Sequence, residues 1–132
     1  MSAKNAIKVV VITPEREALN QHTDSVVIPA HDGELGVLTG RAPLMCELGI
    51  GQLRYQDAGT TKRIFIDGGF AQVHDNQVTV LTNRAIPAAE VTRAMVAEEE
   101  ATAGNIHSTD PEAQEERTRA RRRASALRDL VA

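Results

Sequence analysis

The sequence changes character after Asn83, and that break decides what the chain can fold into. Before it, short β-branched runs alternate with Gly, Asp and Asn; after it, Gly is absent until Gly104, and Ala and Glu dominate Ala88 to Ala103. β-branched side chains fit a pleated, half-buried surface, whereas Ala and Glu are strong helix formers. The chain therefore reads as a β unit over residues 1–84 followed by a helical unit over residues 85–132.

Within the β unit, residues 7–13 (Ile-Lys-Val-Val-Val-Ile-Thr) are apolar on both alternating sets, as expected of a strand covered on both faces, and Pro14 ends the run. Thr23 to Ala30 is a second β-branched run, stopped by the turn at Asp32-Gly33. Gly51 to Asp57 alternates with period two, Leu53 and Tyr55 on one face and Gln52, Arg54 and Gln56 on the other. Lys62 to Ile66, Phe70 to His74 and Gln77 to Thr82 read as three more strands, with turns at Asp67-Gly68-Gly69 and Asp75-Asn76. No helix-length segment lies between these runs, so the expected arrangement is an antiparallel sandwich or barrel.

The helical unit reads as a hairpin. Pro87 precedes a helix over Ala88 to Ala103, Gly104-Asn105 stops it, Ile106 to Ser108 is a loop, and Thr109 or Asp110 caps a second helix with Pro111 in its first turn. Ala113, Ala120, Ala124, Leu127 and Val131 fall on one stripe, the pattern of a helix-pairing seam. The first helix offers a weaker stripe through Val91, Ala94 and Ala101, interrupted by Glu98. Alanine buries little apolar area and short helices are marginal alone, so the hairpin must lean on another surface.

Composition removes several functions. Three aromatic residues (Tyr55, Phe65, Phe70) and no Trp leave no base-stacking platform. The formal charge of −3 gives no global attraction to nucleic acid or anionic lipid, although all six Arg of residues 110–132 lie between Arg117 and Arg128. Cys46, the only cysteine, sits in the apolar run Leu44-Met45-Cys46, which excludes an internal disulfide and suggests a buried, inert thiol. Val9 to Ile12 is too short for a signal-peptide core or a membrane span, so the chain reads as soluble and intracellular. His22, His31, His74 and His107 are scattered, and Ser25, Ser108 and Ser125 lack a nucleophile motif, so nothing points to catalysis by the chain itself or to a metal. A free-standing adaptor whose arginine-rich helix binds protein or nucleic acid is the competing reading, weakened by the acidic balance of the rest.

One segment carries more specific information. Asp32-Gly33-Glu34-Leu35-Gly36-Val37-Leu38-Thr39-Gly40-Arg41-Ala42-Pro43-Leu44 combines three glycines and a proline with anchoring Leu35, Val37, Leu38 and Leu44, which predicts a short strand between two turns displaying Glu34 and Arg41. It resembles the signature of the epsilon subunit of F-type ATP synthases, with Thr39 at the usual proline and Arg41 at the usual histidine. Asp67-Gly68-Gly69-Phe70-Ala71-Gln72-Val73, followed by Gln77-Val78-Thr79-Val80-Leu81, matches a second family segment.

The resemblance implies an N-terminal antiparallel β-sandwich and a C-terminal two-helix antiparallel hairpin. It implies a noncatalytic central-stalk (rotor) subunit coupling proton-driven rotation of the c-subunit ring to ATP synthesis. Its partners would be the gamma subunit, the c-ring and, when the helices extend, the alpha/beta catalytic head. It would lie peripherally on the cytoplasmic face of the bacterial cell membrane, held there only through the complex, with no nucleic-acid partner. Gly33, Glu34, Leu35, Gly36, Arg41 and Pro43 would face the c-ring or gamma. Arg117, Arg121, Arg122 and Arg128 would meet the beta subunit and restrain hydrolysis. No cofactor is required; Glu90, Arg93 and Arg123 are candidates for a regulatory ATP, by likeness to a motif of some bacterial members that reads Asp where this chain has Glu90.

Overall fold

The computed structural model describes residues 6–131; residues 1–5 and 132, the outer ends of the two expected units, lie outside the described residues. Eight strands form a sheet that folds over one core: β1 (Ile7–Ile12), β2 (Glu17–Thr23), β3 (Ser25–Ala30), β4 (Gly33–Leu38), β5 (Leu44–Asp57), β6 (Thr60–His74), β7 (Gln77–Leu81) and β8 (Ala85–Pro87). The strand order is β2-β1-β7-β6-β5-β3-β4, with β8 pairing Ile64 to Ile66 of β6 on the same edge as β7. Every pair is antiparallel, as expected, except β1 with β7, which run parallel.

The period-two pattern decides what is inside. Ile7, Val9, Val11, Val26, Ile28, Leu53, Ile66, Val78 and Val80 are fully buried in the sandwich core, and Val10, on the opposite face of β1, is covered as well. Leu53 and Tyr55 point inward and their polar neighbours outward, as the alternation predicts. Cys46 is half-buried rather than buried; its side chain packs on the core, and burial, then Asp32, pushes its thiol up.

Three expectations need correction, and one strand was not expected at all. The polar segment Glu17–Thr23 forms edge strand β2, because pairing with β1 supplies the order that its side chains do not demand. β5 begins at Leu44, well before Gly51. Asp67-Gly68-Gly69 is no turn: β6 runs through it, pairing with β5 on both sides, Leu48 with Gly69 and Ile50 with Asp67. Gly69 sits at φ +106°, and a Cβ there would lie 1.9 Å from the Leu81 carbonyl oxygen, so glycine is needed for close backbone approach. The sheet also continues past residue 84, since Phe65 pairs with Ile86 in β8.

The first helix starts later than expected. Ala88–Glu90 is a single 3-10 turn, Val91 is extended, and α1 spans Arg93–Gly104, capped by Thr92, whose hydroxyl accepts from the Met95 N–H at 3.2 Å. α2 spans Pro111–Leu130 with Asp110 at its cap and Pro111 in the first turn. The helices are antiparallel, for Arg117 early in α2 reaches the Ile106 carbonyl while Arg128 near its end pairs with Glu100 of α1. Ala120, Ala124 and Leu127 are buried on the α2 seam and Ala113 and Val131 half-buried, as the stripe implies. On α1, however, Ala94 and Ala101 are exposed, and Val96 and Ala103 take the seam, with Glu99 between them directed at arginines.

α2 lies against the outer face of the sheet. Phe65, fully buried, clusters there with Val91, Val96, Leu127 and Leu130, and with half-buried Ile50, Ile86 and Met95. No helix among the described residues is long and apolar enough to cross a membrane.

Candidate functional site

The Gly-rich segment forms a short strand and a tip, as its turn chemistry requires. β4 pairs with β3, placing Leu35 opposite Ile28 and Val37 opposite Val26; Val37 is buried and Leu35 half-buried against the core. Glu34 and Gly36 face outward, and Glu34 is paired with Arg54 of β5. Beyond Leu38 the chain turns back through an Arg41 N–H to Leu38 carbonyl bond of 3.2 Å. Gly40, at φ +84°, donates its N–H to Asn76 Oδ1 at 2.7 Å, which ties this tip to the β6–β7 turn. Arg41 and Pro43 are exposed, and the Arg41 side chain makes no hydrogen bond or ion pair to the described residues.

Large apolar side chains are exposed around this end and along one outer face. Leu38 is 65% and Met45 70% exposed on either side of the tip. On the outer face Ile12, Leu81 and Phe70 stand side by side in cross-strand register on β1, β7 and β6. Phe70 and Leu81 are both more than half exposed, and they line a recess of about 590 Å³ together with Ile12, Pro14 and Gly69. Sequence reading missed this row: the outward phase of the β6 and β7 alternation contains Phe70 and Leu81, but only the strand register brings them beside Ile12.

The arginines of α2 do not form one free surface. Arg117 is half-buried and bonded to Gln114 and the Ile106 carbonyl, Arg119 pairs with Glu115 and Glu116, and Arg128 pairs with Glu100. Arg121 and Arg128 border a groove of about 390 Å³ between the helices. Arg122 borders a separate cleft of about 500 Å³ between α2 and the sheet, together with Gly33, Glu34 and Gly51, so two of the candidate groups meet there.

Arg123 is the most engaged. Its Nε donates to both carboxylate oxygens of Asp67, at 3.1 and 3.2 Å, and Nη1 donates to Glu116 at 3.1 Å. Burial pushes its guanidinium down, but the bonds to Glu116 and Asp67 more than offset this and hold it up. Glu116 is correspondingly pulled below the usual carboxylate range by Arg123 and then Arg119. Glu90, in the 3-10 turn, and Arg93, first in α1, are exposed and make no hydrogen bond or ion pair to the described residues, so no bond joins them to Arg123. Among the described residues there is no cluster of His, Cys, Asp and Glu that could hold a metal ion.

The arrangement offers surfaces for partners. Comparison with known proteins agrees with the architecture. Residues 6–88 match the family model described as ATP synthase, Delta/Epsilon chain, beta-sandwich domain. An ATP synthase epsilon chain of Rhodopirellula baltica is 55% identical over 82 residues, which cover 62% of this chain and 64% of that one, a little under two thirds of the relative's length. The ATP synthase epsilon chain of Symbiobacterium thermophilum is 40% identical over 128 residues, covering 90% of this chain and 92% of the relative, and so includes the helices. A chain in the structure of the Euglena gracilis mitochondrial ATP synthase (OSCP/F1/c-ring) shares the fold with a TM-score of 0.80 at 24% identity, covering 98% of this chain and 83% of that one. With a β-sandwich model matched over residues 6–88 and a relative aligned over 90% of the chain, the chain belongs to the ATP synthase epsilon chain family.

Proposed function

We propose that the chain is a noncatalytic central-stalk subunit of an F-type ATP synthase, transmitting proton-driven c-ring rotation to ATP synthesis in the catalytic head. The observation that carries this reading is the exposed apolar surface of the β unit. Ile12, Phe70 and Leu81 on one face, and Leu38 and Met45 at the tip, suit burial against other subunits. The tip, with Gly33, Glu34, Leu35, Gly36, Arg41 and Pro43, is the c-ring or gamma contact; the apolar row is the second surface that a coupling between two partners needs. The chain would then lie at the cytoplasmic face of a bacterial membrane only through its complex.

The hairpin is a candidate brake on hydrolysis, with Arg117, Arg121, Arg122 and Arg128 meeting the acidic part of the beta subunit after release from the sheet. Arg128 must first leave Glu100, and Arg117 the Ile106 carbonyl. A free-standing adaptor is the weaker reading, since Arg117, Arg119, Arg123 and Arg128, four of the six arginines that it would use, are already bonded within the chain. Co-migration with a cognate alpha-beta-gamma assembly at one copy per gamma is expected, and deleting residues 110–132 is expected to raise that assembly's ATPase rate. Failure to bind a verified, active assembly removes the stalk reading; an unchanged rate removes the brake.

ATP as regulatory ligand requires Arg123 to exchange Asp67 and Glu116 for phosphate. Glu90 and Arg93 are free to contribute. Isothermal titration of the isolated chain reads this directly, and no heat at millimolar ATP eliminates the site.

A further inference from the structure

The contact between hairpin and sheet is built in two adjoining steps. Phe65 and Asp67 are two apart on β6 and therefore share its outer face, while Arg123 and Leu127 are four apart on α2 and share one helical face. The apolar members, Phe65 and Leu127, meet in the buried cluster under the helix; the charged members, Asp67 and Arg123, meet one step along. The Asp67 side chain is only 10% exposed and the Arg123 side chain 17%. Around them gather Arg84, which lies 3.5 Å from Asp67 and 2.7 Å from Glu99 and covers the Phe65 ring, then Glu99 of α1 and Glu116 of α2. Thr82 and the backbone before β8 fix the strand side, since the Asp67 N–H donates to Thr82 Oγ1 and to the Arg84 carbonyl.

We propose that Asp67, Arg84, Glu99, Glu116 and Arg123 form an electrostatic clasp that keeps the helical hairpin docked on the sandwich and opens as one unit. The charge arrangement argues for unity. Within the clasp three carboxylates share two guanidiniums, Glu116 having one further, exposed partner in Arg119, and Arg123 alone reaches acids on the sheet, on α1 and on α2. Breaking a half-buried pair leaves the remaining charge uncompensated, a cost larger than that of an exposed pair. Without Arg123, Asp67 and Glu99 are left with Arg84 alone and Glu116 with the exposed Arg119; without Asp67, Glu99 and Glu116 still balance Arg84 and Arg123. Loss of Arg123 therefore opens the clasp further than loss of Asp67.

Amide hydrogen exchange on the full chain tests this, because local opening of the hairpin is read separately from the strands. R123Q, which leaves helix propensity nearly unchanged, is expected to accelerate exchange in α1 and α2 by about tenfold or more, and D67N by a smaller factor, with β1 and β7 unaltered. The double variant is expected to exchange no faster than R123Q. R128Q, which breaks only the exposed pair with Glu100 and touches no member of the clasp, serves as control and is expected to change little. Helix exchange within about twofold of the parent in R123Q, a double variant showing the product of the two single effects, or equal acceleration by R128Q would each overturn the clasp. The clasp concerns the isolated chain, so its failure appears in exchange, whereas failure of the stalk reading appears in binding to the head assembly.

Discussion

In the sandwich, sixteen buried residues, nearly all Val, Ile or Leu, come from β1 and β3–β7 and the start of β8 and close on one core. Where the hairpin meets the sheet, five buried residues do the same work, and between the helices the seam is largely alanine, at Ala103, Ala120 and Ala124. Hydrophobic stabilisation scales with apolar area removed from water, so the first region stands on its core and the second needs the ion pairs beside Phe65. The difference teaches that one chain contains a unit built to stay folded and a unit built to be held. Loss of the second need not cost the first.

The sharpest way to break that comparison is to truncate one fully buried residue in each region. Ile66→Ala, in the sandwich core, is expected to lose ~2–5 kcal/mol and to lower the melting of the entire chain. Leu127→Ala is equally buried, but its effect is bounded by the docking energy of the hairpin. It is expected to shift the helical part of the far-UV dichroism to lower temperature and leave the sheet transition in place. Circular dichroism melts of both variants decide the matter; one merged transition, moved alike by both, would mean that hairpin and sandwich are a single cooperative unit.

How much of this was legible depended on whether the signal was local. Short β-branched and apolar runs placed β1, β3 and β7, period-two alternation placed the second half of β5, and the stripe through Ala120, Ala124 and Leu127 placed the α2 seam. Glu17–Thr23 carries no strand signal of its own and becomes β2 only because β1 offers an edge. Asp67-Gly68-Gly69 was ambiguous for a physical reason: left-handed glycines serve a turn and a kinked long strand equally well, and only the ladder with β5 distinguishes them. Arg123 lies 56 residues from Asp67, so no spacing could announce that pair. The surface residues of the tip were legible as a displayed loop, whereas the Ile12, Phe70 and Leu81 row required knowing that three strands align.

A smaller effect sharpens the comparison through pH. Hydrogen bonds from Arg123 and Arg119 hold the Glu116 carboxyl below its ordinary 4.5 in the docked hairpin. Around it, Arg123 also serves Asp67 and Glu99, and Arg119 also serves Glu115, so the local field on Glu116 is set by two arginines shared among acids. With the folded value depressed, the unfolded or undocked state binds more protons on acidification. The contribution is therefore complete above about pH 4.5 and is lost as pH falls through the lower, docked value. Solvent reaches Glu116, so the effect is modest and screened by salt. Helix exchange rates, corrected for intrinsic pH dependence, are expected to rise relative to the β1 and β7 strands below that point. E116Q is expected to start partly open at neutral pH and to show a flatter profile; a parent and a variant with identical profiles would show that Glu116 is paired without helping to hold the hairpin.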